Sequence, residues 1–200
     1  MLCRGRRACL WAAWPGIFNR MAAKILKRPY FLRQTLRVAR SLLGKYLVRK
    51  KGRKVIVARI VEVEAYIGME DRACHASKGR TARTEVMFGP AGVSYVYLIY
   101  GMHHCFNIVT ERAGFPSAVL VRAVEDVATQ RLIDGPGRTC RFLEIDRDLN
   151  HFDLTTGQAL WLEDRGGQVT SSEITIGRRI GVGYAGKWAK KPWRFRLKGH

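Results

Sequence analysis

Residues 58–107 read ARIVEVEAYIGMEDRACHASKGRTARTEVMFGPAGVSYVYLIYGMHHCFN. Two patterns in this stretch decide the fold. The run from Val55 to Tyr66 is long and rich in β-branched residues, which predicts an extended strand. Val55, Val57, Val61, Val63 and Ala65 share one face, and Ile56, Ala58, Ile60, Glu62, Glu64 and Tyr66 the other. Further on, Gly89-Pro90-Ala91-Gly92 makes a turn before a strand over Val93–Ile99. Gly101 reverses the chain, and His104–Val109 returns. A long strand and a tyrosine-rich hairpin predict an antiparallel sheet.

The flanking sequence extends this picture. Residues 31–44, FLRQTLRVARSLLG, place Leu32, Leu36, Val38, Ala39, Leu42 and Leu43 near one helical face, and Gly44 ends the helix. Lys45–Val48 reads as a strand and residues 50–54, KKGRK, as a turn with a basic tip. Residues 68–83 read as a polar loop. Ala118–Ala123 is a further apolar strand, and Gly135-Pro136-Gly137 opens a helix over Arg138–Leu143. Trp161-Leu162 and Glu173–Ile176 look like late strands, followed by a tail rich in Gly, Lys and Trp. The expected fold class is mixed α+β, one compact domain with a curved, antiparallel-rich sheet, flanking helices and a protruding β-hairpin.

The chain has 200 residues, 47% of them apolar, enough for one domain with a real core. Its 36 Lys+Arg against 16 Asp+Glu give a net charge of +20, which favours a polyanionic partner. The first 60 residues hold 17 basic residues and no acid, and eight more basic residues follow Glu173, again without an acid. The five cysteines, Cys3, Cys9, Cys74, Cys105 and Cys140, form no C-x-x-C pair, which points away from a disulfide framework. No apolar run reaches the roughly 18 residues of a membrane span. Residues 1–20 begin like a signal peptide, but Pro15 and Gly16 interrupt the apolar run. The simplest reading is a start at Met21, with residues 1–20 a non-native or disordered extension and residues 21–200 one domain.

Several side chains have the character needed for chemistry on a base. A carboxylate set among apolar neighbours loses hydration, and its pKa rises toward the range of a useful general base. Strand alternation alone does not choose between Glu62 and Glu64. Tyr97 suits stacking on a base. Tyr100, at the hairpin turn, suits insertion into a base stack. His75 follows Asp71-Arg72-Ala73-Cys74, but adjacent Cys74-His75 diverge too much for a zinc pair, so no metal is expected. Walker A, Rossmann and G-x-S-x-G patterns are absent, and no cofactor is expected.

The segments ARSLLGKYLVR, RIVEVEAYIGMEDRACH, MFGPAGVSYVYLIYGMHHCFNIV, VLVRAVE, DGPGR and RIGVGYAGKWAKKPWRF occur in order. Together they resemble the 3-methyladenine DNA glycosylase family of the mammalian alkyladenine type, over about Tyr30 to Gly199. The resemblance implies a metal-free enzyme that flips alkylated or deaminated purines out of duplex DNA and hydrolyses their N-glycosidic bond, leaving an abasic site. It implies that Glu64 activates water with Arg122 nearby. Tyr66, His75 and Tyr97 would line the base pocket, Asn107 would screen purines at its floor, and Tyr100 would fill the gap in the duplex. Met102, beside Tyr100 at the hairpin tip, is the second expected intercalating residue. His103 and His104 depart from the aromatic residues the family pattern leads one to expect after Y-G-M. A cationic alkylated purine would gain cation–π attraction from Tyr66 and Tyr97. The expected partner is double-stranded DNA carrying damaged purines, bound by a monomer, in the nucleoid of a bacterium or the nucleus of a eukaryote. The alternative is a non-catalytic RNA- or ribosome-binding basic protein, in which Glu64 would be idle. A base-modifying transferase would need a cofactor site that the sequence does not offer.

Overall fold

Each strand of the sheet runs antiparallel to its neighbours, and the long strand sits near its middle. The structure, a computed structural model, describes residues 23–200. The reading of residues 1–20 as an extension, and of Met21 as the start, lies outside the described residues. The strands are β1 (Lys24–Ile25), β2 (Tyr46–Lys51), β3 (Lys54–Ile67), β4 (Ser94–Ile99), β5 (His103–Val109), β6 (Ser117–Asp126), β7 (Leu132–Asp134), β8 (Leu160–Asp164), β9 (Ile174–Gly177) and β10 (Arg194–Leu197). The helices are α1 (Arg28–Phe31), α2 (Thr35–Leu42) and α3 (Pro136–Phe142). The sheet order is β1-β8-β2-β3-β6-β5-β4, with β10 pairing β3 and β9, and β7 pairing β6. The expected mixed α+β domain is the one observed.

β3 is longer than any single neighbour. Its first half pairs with β2 and its second half with β10, while β6 runs along the other edge. An irregularity in the β3–β6 register falls between Ile60 and Val63, where an extra residue bends a strand and re-aims its side chains. The in–out alternation read from the sequence fades here. Every residue from Ile60 to Ala65 is buried, because both faces of the strand are covered. α2 lies against β3 and β6.

The single helix expected over residues 31–44 is instead two. α1 closes at Leu32, and Gln34 takes an extended conformation (φ −48°, ψ 133°) that breaks the run before α2 begins. α2 buries Thr35, Val38, Ala39 and Leu42, the i, i+3, i+4, i+7 stripe of a helix against a core. Leu32, expected on that face, is 49% exposed because it belongs to the connection. The loop over residues 68–83 contains a 3₁₀ turn at His75–Lys78 and buries Ala73, Cys74 and Ala76. The tail rich in Gly, Lys and Trp forms 3₁₀ turns over Gly183–Lys190 and then β10.

The DGPG motif starts α3 where expected and explains its two glycines. Gly135 has φ 104°, a conformation favourable only for glycine. A Cβ on Gly137 would come 3.0 Å from the Cβ of His103. The helix start is therefore seated against the root of the β4–β5 hairpin.

Candidate active site

Glu64 has no solvent exposure, and both its carboxylate oxygens are held. Tyr66 donates its hydroxyl to Oε2 at 2.8 Å. The main-chain N–H of Ile180 donates to Oε1, also at 2.8 Å. Arg122 Nε lies 3.5 Å from the same Oε1. Burial raises the Glu64 pKa above the ordinary glutamate value, against the opposing pull of Arg122 and the two donors. Two hydrogen bonds leave acceptor directions open on a carboxylate, which has about four.

Glu62 lies one step back along β3 and is also buried. Its Oε1 takes Arg122 Nε at 3.1 Å and Arg194 Nη1 at 3.2 Å. Its Oε2 lies 3.0 Å from Arg196 Nη1, an ion pair without hydrogen-bond alignment. Arg194 and Arg196 come from β10, where they pair in register with Glu64 and Glu62. The structure thus separates the two carboxylates that alternation left open: Glu62 is surrounded by arginines, while Glu64 reaches the cavity through its partners.

That cavity, about 160 Å³, is lined by Tyr66, His75, Tyr95, Tyr97, Asn107 and Arg122, among others. It is small beside the ~300–1,000 Å³ of sites for larger ligands and suits one flat ring system. Ile180, Gly181, Val182 and Tyr184 close part of its wall, and Tyr100 reaches its rim. His75 Nδ1 shares a hydrogen bond with the Tyr95 hydroxyl at 2.9 Å, and its ring meets Tyr97 edge-on with centroids 4.6 Å apart. Burial, with Arg83 and Lys78 adding to it, lowers the His75 pKa to about 4. His75 is therefore a neutral ring at physiological pH. Asn107, buried on β5, donates Nδ2 to the Tyr95 carbonyl at 3.0 Å. Burial raises the Tyr97 hydroxyl pKa far out of the physiological range.

Tyr100 is 84% exposed and Met102 69% exposed. Tyr100 and Gly101 both have positive φ, at 52° and 70°, and the Met102 N–H bonds back to the Ile99 carbonyl. Consecutive positive φ values match the twist of the flanking strands and hold the tip out into solvent. The eight residues expected from the sequence fall into two groups. Glu64, Tyr66, His75, Tyr97, Asn107 and Arg122 surround or support the cavity; Tyr100 sits at its rim with Met102 beside it at the tip.

Three features escaped the sequence reading. Asp71 and Arg179 form a buried bidentate ion pair behind Tyr66, with contacts of 2.5 and 2.8 Å. Ile180 contributes a backbone donor to Glu64, which no side-chain pattern signals. Tyr95 orients His75 through its hydroxyl. Asp71 and Arg179 stand inside the matching motifs, but their 108-residue separation hides the pairing. A wider, open basic depression of about 680 Å³ is lined by Arg178, Gly183, Lys187 and Lys190, among others. It adjoins the cavity at Gly181 and Val182 but holds no group suited to acid–base chemistry.

Among the described residues, no group of three or more His, Cys, Asp or Glu is arranged to hold a metal ion, and no helix is long and apolar enough to cross a membrane. Cys74, Cys105 and Cys140 are free and buried.

The chain matches known proteins over most of its length. The family model for methylpurine-DNA glycosylase (MPG) matches residues 29–200. A protein of Myxococcus xanthus is 55% identical over 172 residues, covering 84% of this chain and 88% of its own length. One of Legionella pneumophila (strain Corby) is 50% identical over 174 residues, covering 86% and 94%. One of Methanocella arvoryzae is 48% identical over 185 residues, covering 86% and 91%. All three are named provisionally as 3-methyladenine DNA glycosylases.

Proposed function

Because the chain belongs to the methylpurine-DNA glycosylase family, we propose that it is a DNA-repair glycosylase that releases damaged purines from duplex DNA by hydrolysis. The observation that carries this reading is Glu64: a solvent-free carboxylate with a raised pKa, tied to a base-sized aromatic cavity by Tyr66, Arg122 and Ile180.

The bond from a purine to C1′ is out of reach within the duplex, so the nucleotide must rotate out of the stack, at about a few kcal/mol. Tyr100, exposed at the hairpin tip with Met102 beside it, enters the gap and keeps the nucleotide from falling back. The purine stacks on Tyr66, His75 and Tyr97, and Asn107 screens its edge at the floor. As the bond lengthens, the sugar gains oxocarbenium character, and the Glu64 carboxylate stabilises that charge. Glu64 takes the proton of the attacking water, and Arg122 helps to hold the water and the ionised carboxylate. Tyr66 and Ile180 fix the carboxylate so that little reorganisation is needed.

Among the described residues, no lysine lines the cavity. This supports water rather than an amine as nucleophile, hence a monofunctional enzyme and an intact abasic product. A monomer acting on DNA in the nucleoid or nucleus fits the same reading. Incubation with methylated duplex, without metal or cofactor, should release free purine and leave abasic sites. Tight binding with no release would overturn the enzymatic reading in favour of a non-catalytic nucleic-acid-binding protein.

A further inference from the structure

Two of the tyrosines that line the cavity, Tyr66 and Tyr97, carry a guanidinium on the ring. Arg179 Cζ lies 4.7 Å from the Tyr66 ring centroid and 5.0 Å from that of Trp193, so it is held between the two rings. Arg83 Cζ lies 5.0 Å from the Tyr97 centroid. Neither Arg83 nor Arg179 is among the residues that line the cavity. Arg179 is neutralised by Asp71. Arg83 is exposed, and its neighbour Glu85 pairs with Arg80 instead, at 3.5 Å.

The face of an aromatic ring attracts cations through its quadrupole. A guanidinium already on the ring draws the π density toward itself and repels a second positive charge through the same ring. The gain for a positively charged purine is reduced, while stacking of a neutral purine depends far less on that term. The cation–π preference that Tyr97 alone would give is therefore opposed by Arg83, whereas the charge of Arg179 is cancelled by Asp71. The lining histidine adds no compensating charge.

We propose that Arg83 sets the lesion preference of this cavity, lowering its bias toward cationic N-alkylpurines so that neutral purine lesions compete on comparable terms. The inference rests on the glycosylase reading above. It assigns a specificity role to a residue that would not touch the reacting atoms.

Arg83 is the residue to test, since its exposure makes its replacement compatible with folding. Single-turnover excision would be measured for 7-methylguanine, which is cationic, and hypoxanthine, which is neutral, in otherwise identical duplexes. The readout is the ratio of the two rates, because loss of a phosphate contact would slow both alike. Arg83→Gln should raise the ratio of cationic to neutral excision about two- to fivefold, the size of one exposed cation–π contact. Arg83→Lys keeps the charge and should stay within about twofold of wild type. A ratio unmoved or lowered in an active Arg83→Gln variant, or raised equally by Arg83→Lys, overturns the inference alone. Release of neither base by the wild-type protein overturns the glycosylase reading and this inference with it.

Discussion

Asp71 and Arg179 face each other across a bidentate ion pair in which neither side chain touches solvent. Arg179 also donates to the carbonyls of Ala65 and Trp188. Asp71 accepts from the backbone N–H groups of Ala73 and Ile67. The pair thus fastens the C-terminal segment to the end of β3, and the next residue, Ile180, holds Glu64. Removing one partner of a buried ion pair leaves an uncompensated charge in a medium that solvates it poorly. Asp71→Asn should therefore lower folding stability by about 3–5 kcal/mol, read as a shift in the urea midpoint. A midpoint unchanged from wild type would show that the pair contributes nothing to the fold.

Glu64→Gln should abolish purine release while leaving binding to damaged duplex largely intact, because the hairpin tip and the phosphate contacts remain. Glu62→Gln should cost far less excision, since Glu62 meets three arginines rather than the cavity. Burial raises the Glu64 pKa in the folded state, so the folded protein binds the proton more tightly than the unfolded chain. Its contribution to stability is present in acid and is lost as pH rises through the folded value. Glu64→Gln should accordingly match or exceed wild-type thermal stability at neutral pH, with the difference closing as pH falls. The opposite trend in a thermal-melt series across pH would mean that the ion pair with Arg122, not desolvation, dominates.

His75 gives the opposite sign. Its pKa is lowered from 6.5 to about 4, so its contribution is present above 6.5 and is lost as pH falls toward 4. His75→Gln should flatten that part of the stability profile. An NMR signal assigned to the His75 ring and titrating near 6.5 in the folded protein would contradict the buried, neutral ring.

The central strand, the hairpin and the position of α3 were legible because β-branched runs, a turn glycine and the DGPG motif act locally. Much of the site was not, because it depends on contacts that only the closed sheet creates. β10 is four residues, R-F-R-L, with two charges. It becomes a strand because Arg194 and Arg196 find Glu62 more than 130 positions earlier in the chain. Alternation could not choose between Glu62 and Glu64, since both belong to one continuous buried stretch. Arg122 reaches both, and the two differ in their remaining partners: Glu64 takes the Ile180 N–H and the Tyr66 hydroxyl, whereas Glu62 takes Arg194 and Arg196. Leu32 failed in the other direction: a helical periodicity continued on paper through a break that the backbone makes at Gln34.

Binding to duplex DNA should weaken steeply with salt. Each phosphate neutralised adds about −0.9 to the slope of log K against log salt. The depression formed by Arg178, Lys187 and Lys190 offers several such contacts beside the cavity. Fluorescence anisotropy across a salt series should give a slope of several units, and a flat series would rule out a phosphate-gripping surface.

Tyr100→Ala should impair excision through flipping rather than through bond cleavage. The side chain stands 84% exposed on a turn of two positive-φ residues at the rim of the cavity. Its loss removes the group that fills the vacated stack, so the nucleotide returns to the duplex more often. The defect should be largest for well-paired lesions and smallest for mispaired ones, whose extrusion costs less. Tyr97→Ala should act differently. Tyr97 lines the cavity and packs against His75 and Tyr95, so its removal takes away a stacking surface of about 1–3 kcal/mol from every base, paired or mispaired. Single-turnover excision on both kinds of duplex, with a fluorescent base analogue reporting the extrahelical state, separates the two effects. An unchanged flipping signal for Tyr100→Ala on both duplexes would make Tyr100 a surface residue and move the wedge elsewhere, with Met102 the next side chain to replace.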